Sequence, residues 1–131
     1  MANAATDAVA IDLPLEPGSA RRAREQLEPF RKSLGETFSD LRLLVSELVV
    51  EALNIDSEAE NTRIELQAEL HDDRVRVEVA AGGAAFRLPS RRPEPGEAGW
   101  GLHLVQRLSS RWGIRREPER ASVWLELPVA G

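Results

Sequence analysis

The chain has no cysteine, and that absence removes disulfides and thiolate metal sites from consideration. It has two histidines, His71 and His103, so a histidine-rich metal centre is excluded as well. It lacks an excess of basic residues: 17 Lys and Arg face 22 Asp and Glu, a net charge of −5, which argues against a nucleic-acid binder. No apolar run approaches the ~20 residues that span a bilayer. Met1 to Ala8 has no basic start followed by an apolar stretch, so a signal peptide is not expected and a cytoplasmic location is. What remains is a chain of 131 residues, 42% hydrophobic and 30% charged, the balance of one globular domain with its own core.

Residues 1–8 read as a flexible N-terminal tail, and 9–131 as a single domain. Val9, Ile11 and Leu13 alternate with polar or small residues, a short strand ended by Pro14. Pro17-Gly18-Ser19 is a turn, with Ser19 as N-cap of a helix running to about Leu34. Ala20, Ala23, Leu27, Phe30 and Leu34 form its buried stripe, and Gly35 closes it. Ser39 or Asp40 caps a second helix, about Leu41 to Ile55, with Leu41, Leu44, Val45, Leu48, Ala52 and Ile55 facing the core. Leu43 and Val50 lie on the opposite side, at about 200° and 180° from Leu41, and Leu53 beside them. The first helix is expected to cover part of that side and make them second-layer core; left uncovered, they form an apolar interaction patch.

The period then changes to two. Ile64, Leu66, Ala68 and Leu70 alternate with polar residues, His71-Asp72-Asp73 turns, and Val75, Val77 and Val79 alternate again, a β-hairpin with one buried face. A loop over about 84–98, rich in proline and glycine, is long enough to be functional. No apolar run anchors it, so rapid motion without a ligand is expected. A third helix spans about Trp100 to Ser110, and two strands surround 113–117 and 121–127. The order predicts an α+β two-layer sandwich, a mostly antiparallel sheet with helices on one face.

Three segments in sequence carry a family likeness. Ser46-Glu47-Leu48-Val49-Val50-Glu51-Ala52 is similar to a Ser-Glu-Leu-x-x-Asn-Ala box. Val79-Ala80-Ala81-Gly82-Gly83 is similar to a Val-x-Asp-x-Gly segment. Gly99-Trp100-Gly101-Leu102-His103-Leu104-Val105 is similar to a Gly-x-Gly-Leu-x-x-Val box. Arg111-Trp112-Gly113 and the entry from Pro17 to Arg24 fit the same pattern. Together they resemble the GHKL ATPases, and most closely the histidine-kinase-like ATPase domain of bacterial anti-sigma-factor serine kinases, whose fold is the Bergerat type.

The resemblance implies a nucleotide pocket built from Glu51, Ala81, Gly83, Gly99, Gly101 and Leu102. Gly99 and Gly101 open a helix, and backbone N–H groups at a helix start attract anions; the plainer reading is a loop that needs flexible backbone. Glu47 matches the family's proposed catalytic base. Glu51 stands where the family has a magnesium-binding Asn, and a carboxylate can take that metal. Both acids lie on one flank of the second helix, at about 240° and 280° from Leu41, and repel each other at i,i+4; the plainer reading is a solvated acidic flank. Ala81 stands where the family has the Asp that accepts the adenine amino group. Losing that bond costs about 1.5–3 kcal/mol.

Arg87, Arg91 and Arg92 in the loop can meet phosphates or simply be solvated, and neither histidine is placed for catalysis. Trp100 fills part of the pocket or anchors the loop. The expectation is a regulatory protein with a degenerate site that binds a sigma factor or an anti-anti-sigma factor and uses no cofactor. The alternative is an active Mg-ATP-dependent protein serine kinase acting on an anti-anti-sigma factor. A homodimer through the sheet or second helix is a third possibility. Neither nucleic acid nor a membrane is expected as partner.

Overall fold

The alternating segments build the sheet at its centre. The computed structural model describes residues 7–53, 63–82 and 85–129. Strands β2 (Arg63–Leu70) and β3 (Arg74–Gly82) form the expected hairpin, closed by the bond from His71 N–H to the Arg74 carbonyl at 2.8 Å. β1 (Asp7–Pro14) adds to β2, while β5 (Arg120–Pro128) lies beside β3 and β4 (Arg111–Glu117) closes the far edge. The order is β1-β2-β3-β5-β4, and every neighbouring pair is antiparallel. Register places Ile11, Leu66, Val79, Val123 and Ile114 in one row across all five strands. Such rows make one apolar face, because alternate side chains of a strand point the same way. The fold is α+β, an open antiparallel sheet with helices on that apolar face, as the element order predicted.

The first helix departs from the expectation of one continuous element. It is α1 (Ser19–Gln26), a 3₁₀ turn (Glu28–Phe30) and the short α2 (Arg31–Leu34). Pro29 explains the break: it donates no N–H, and its ring clashes with the carbonyl four residues before it. The stripe survives, with Ala23, Leu27, Phe30 and Leu34 all buried. Ser19 is not the cap. Gly18 holds that position, and the buried Ser19 hydroxyl donates to the Pro14 carbonyl at 2.5 Å, tying α1 to the end of β1. Gly35 does end this segment, at φ +56.

The second predicted helix is α3 (Thr37–Leu53), which begins a turn before Leu41 and makes Ser39 and Asp40 part of the helix instead of its cap; Asn54 and Ile55 lie outside the described residues. α3 packs on α1, α4 (Trp100–Leu108), β3 and β5, which is why it is apolar on several sides. Leu43 and Val50 are not second-layer core, however. They are 41% and 40% exposed, because α1 covers the neighbouring face only. Asp7 and Ala8, expected in the N-terminal tail, instead belong to β1 and pair with Leu70 and Glu69; residues 1–6 lie outside the described part.

Candidate functional site

The glycine box opens α4, and its two glycines are each closed by a different part of the chain. Gly99 is the N-cap, at φ +89, a left-handed conformation natural to glycine. A Cβ there would stand 2.8 Å from two ring carbons of Pro89, so the 85–98 loop folds back and seats that proline on the glycine. Gly101 lies against α3. A Cβ there would come within 2.9 Å of Glu51 Cγ and 3.0 Å of the Glu47 carbonyl oxygen. Its N–H donates to Glu51 Oε1 at 3.0 Å. That N–H is one of those a helix start leaves unpaired, so the Glu51 carboxylate caps α4 from another helix and meets its positive end.

Glu47 is half-buried, one turn before Glu51 on the same flank of α3. Ala81 is fully buried on the apolar face of β3, paired with Ala121, which in turn pairs with Arg116 of β4. Leu102 is fully buried core of α4. Gly83 lies outside the described residues. Trp100 is half-buried, its ring centroid 5.2 Å from that of His103. His71 sits on the β2–β3 turn with Nε2 3.3 Å from a Glu69 carboxylate oxygen, on a different element from His103. Among the described residues no group of three or more His, Asp or Glu is gathered to hold a metal. No helix among them is long and apolar enough to cross a membrane.

The loop is better anchored than its composition suggests. Phe86 is buried at φ +59, and the Arg116 guanidinium donates to the carbonyls of Ala85, at 3.0 Å, and Phe86. Pro93 is buried too. At the far end Glu97 accepts from the Glu94 N–H at 2.7 Å and from Arg91 at 3.1 Å, and these two bonds hold its carboxyl below the usual range. No sequence signal marks Pro89 as a cover. Arg116 could have been found, as a charged residue at an inward position of β4.

Burial raises the Glu47 carboxyl above the ordinary carboxylate value, and the Glu51 charge adds to the rise. A group raised in the folded state keeps its proton better folded than unfolded. Its contribution is therefore present at low pH and lost as pH climbs from the ordinary value through the raised one. Glu47→Gln is expected to stabilise the protein by about 0.5 kcal/mol at neutral pH and to be neutral near pH 3. Urea unfolding at the two pH values checks this; a loss at neutral pH would mean the Glu47 carboxylate holds a favourable contact.

This sheet-and-helix layout, with a glycine box opening the last helix, is that of the histidine kinase-like ATPase fold. The chain belongs to the family of the histidine kinase-like ATPase domain, which matches residues 13–127. Among solved structures it is similar to the crystal structure of the RsbU and RsbW domains of Rv1364c from Mycobacterium tuberculosis. The TM-score is 0.70 at 23% identity, over 93% of this chain and 32% of that one. At that identity the likeness is one of fold, and this chain spans about a third of the length of that crystallised chain. A comparison with curated proteins gives no match.

Proposed function

We propose that this domain is a regulatory protein of the anti-sigma-factor kinase-like kind, acting by binding another protein and binding Mg-ATP weakly or not at all. The observation that carries the reading is the 3.0 Å bond from the Gly101 N–H to Glu51. A phosphate approaching the glycine box would meet a donor already engaged, and a carboxylate of its own sign beside it. Ala81 supports the reading from the other end of a nucleotide, since alanine offers adenine no acceptor. Pro89, seated on Gly99, adds a third obstacle. The residues present thus fit a magnesium-bound nucleotide poorly, and no catalytic step is assigned to one.

The partner proposed is a sigma factor or an anti-anti-sigma factor, as the resemblance to the anti-sigma-factor serine kinases implies. In the competing kinase reading, Glu47 is the base and Glu51 the magnesium ligand; it needs Glu51 to leave Gly101. Calorimetry with Mg-ATP separates the two. No binding tighter than about 0.5 mM is expected, and a low micromolar dissociation constant, some 3 kcal/mol tighter or more, would sink the degenerate-site reading.

A further inference from the structure

Two sets of arginines on this protein differ in what they face. On the solvent face of the sheet they are paired with acids: Arg74, Arg76 and Arg111 converge on Glu126, Arg115 faces Glu78, and Arg120 faces Glu65. On the loop before α4 most are not. Arg87 and Arg92 are exposed and have no ion-pair or hydrogen-bond partner among the described residues, and Arg91 makes only an exposed bridge to Glu97. Loop arginines are usually just solvated, but these line clefts. One, of about 410 Å³, lies between the loop and α4, with Arg91, Arg92, His103 and Gln106 in its wall. The other, of about 450 Å³, is lined by Arg87, Arg116 and Ile114. The two share Leu88, at 60% the most exposed large apolar side chain among those described.

Unpaired guanidinium groups on both sides of an exposed leucine make a surface that is cationic at its edges and apolar in the middle. Arginine's planar fork binds carboxylates with two parallel bonds, and arginine is enriched where interfaces concentrate their binding energy. We propose that these joined clefts dock an acidic segment of a partner protein, with carboxylates on Arg87 and Arg92 and an apolar side chain over Leu88. This rests on the reading of the domain as a protein-binding regulator and names the surface it would use.

Charge selects the occupant. The chain carries −5 overall, so a long polyanion such as a nucleic acid would extend from this patch over acidic surface. A short acidic segment meets only the patch. At physiological salt the remaining negative charge is screened beyond about 8 Å, while contact pairs keep their strength. A small free anion gains little here, because the arginines stand in water, whereas a peptide adds the Leu88 contact.

The test uses a fluorescein-labelled peptide of glutamate and leucine, titrated by anisotropy into the whole chain. Arg92→Glu is expected to weaken binding about tenfold and Leu88→Ser about fivefold, while Arg22→Glu on exposed α1, with the same charge change, has less than a twofold effect. Neither Arg92 nor the exposed Leu88 holds the fold together, so unchanged thermal melts accompany these losses. Equal effects of Arg92→Glu and Arg22→Glu would reduce the binding to overall charge and overturn the proposal. Full competition by inorganic phosphate with no effect of Leu88→Ser would overturn it in favour of a small-anion site. So would no peptide binding at all. The same samples titrated with Mg-ATP keep the two levels apart. Tight ATP binding counts against the regulatory reading itself, whereas failure of the peptide in a protein that ignores ATP removes only this surface.

Discussion

Replacing Glu51 with Asn and Ala81 with Asp together is expected to raise affinity for Mg-ATP at least tenfold. Asn is one methylene shorter, and from position 51 it withdraws the acceptor now held by the Gly101 N–H. That frees a donor at the start of α4 and removes a negative charge from the phosphates' side. The Ala81→Asp change supplies the acceptor adenine lacks, worth about 1.5–3 kcal/mol, and tenfold in affinity needs only about 1.4. Stability falls in exchange. Position 81 is fully buried, and an unpaired carboxyl there is expected to cost the ligand-free variant about 1–3 kcal/mol, with the new carboxyl itself titrating high. Added Mg-ATP should restore part of that loss, because a ligand that binds only the folded state stabilises it by mass action. Calorimetry reads the affinity, and thermal melts with and without nucleotide read the stability. A variant that folds and gains no affinity would place the obstruction elsewhere, at Pro89 or Trp100, and Trp100→Ala in the same background would tell the two apart.

The sheet was legible because its signal is local. Leu66, Ala68, Val77 and Val79 each sit between polar or small neighbours, and a period of two says which face they share. The glycine box was legible too, as two glycines opening an amphipathic run. What the chain does not spell out is pairing at a distance. Glu51 was visibly on one flank of α3, but nothing in the residues says that its carboxylate meets an N–H fifty positions away. The loop shows the same limit. Its prolines suggested few internal bonds, and there are few. Its anchors are Phe86, turned inward at a positive φ, and Arg116 from a strand thirty residues on, which no window along the sequence brings together. The break at Pro29 was written in the sequence; the continuous stripe from Ala20 to Leu34 concealed it, since a 3₁₀ turn keeps those side chains on one side.

Gly101→Ala is expected to destabilise the protein by about 2 kcal/mol, lowering the melting temperature by about 5–10 °C. The sign is what matters. In an ordinary helix this exchange stabilises by up to about 1 kcal/mol, because alanine loses less backbone freedom on folding. Here the added methyl meets Glu51 Cγ at 2.9 Å and the Glu47 carbonyl oxygen at 3.0 Å. The Glu51 side chain can swing aside at the cost of its bond to the Gly101 N–H. The Glu47 carbonyl cannot, since it belongs to the backbone of α3, so α4 must move away from a core that includes Leu48, Leu102 and Val105. Overpacking of this kind typically costs about 1–3 kcal/mol. Gly18→Ala is the control: nothing lies within 4 Å of the new methyl, and a change of no more than about 0.5 kcal/mol is expected. A glycine kept only to let phosphate approach would behave differently. Its replacement by alanine would stabilise the ligand-free domain and weaken nucleotide binding alone. Equilibrium unfolding of the two variants therefore separates a glycine required by the α3–α4 contact from one retained for a ligand, and a gain in stability for Gly101→Ala would reject the first.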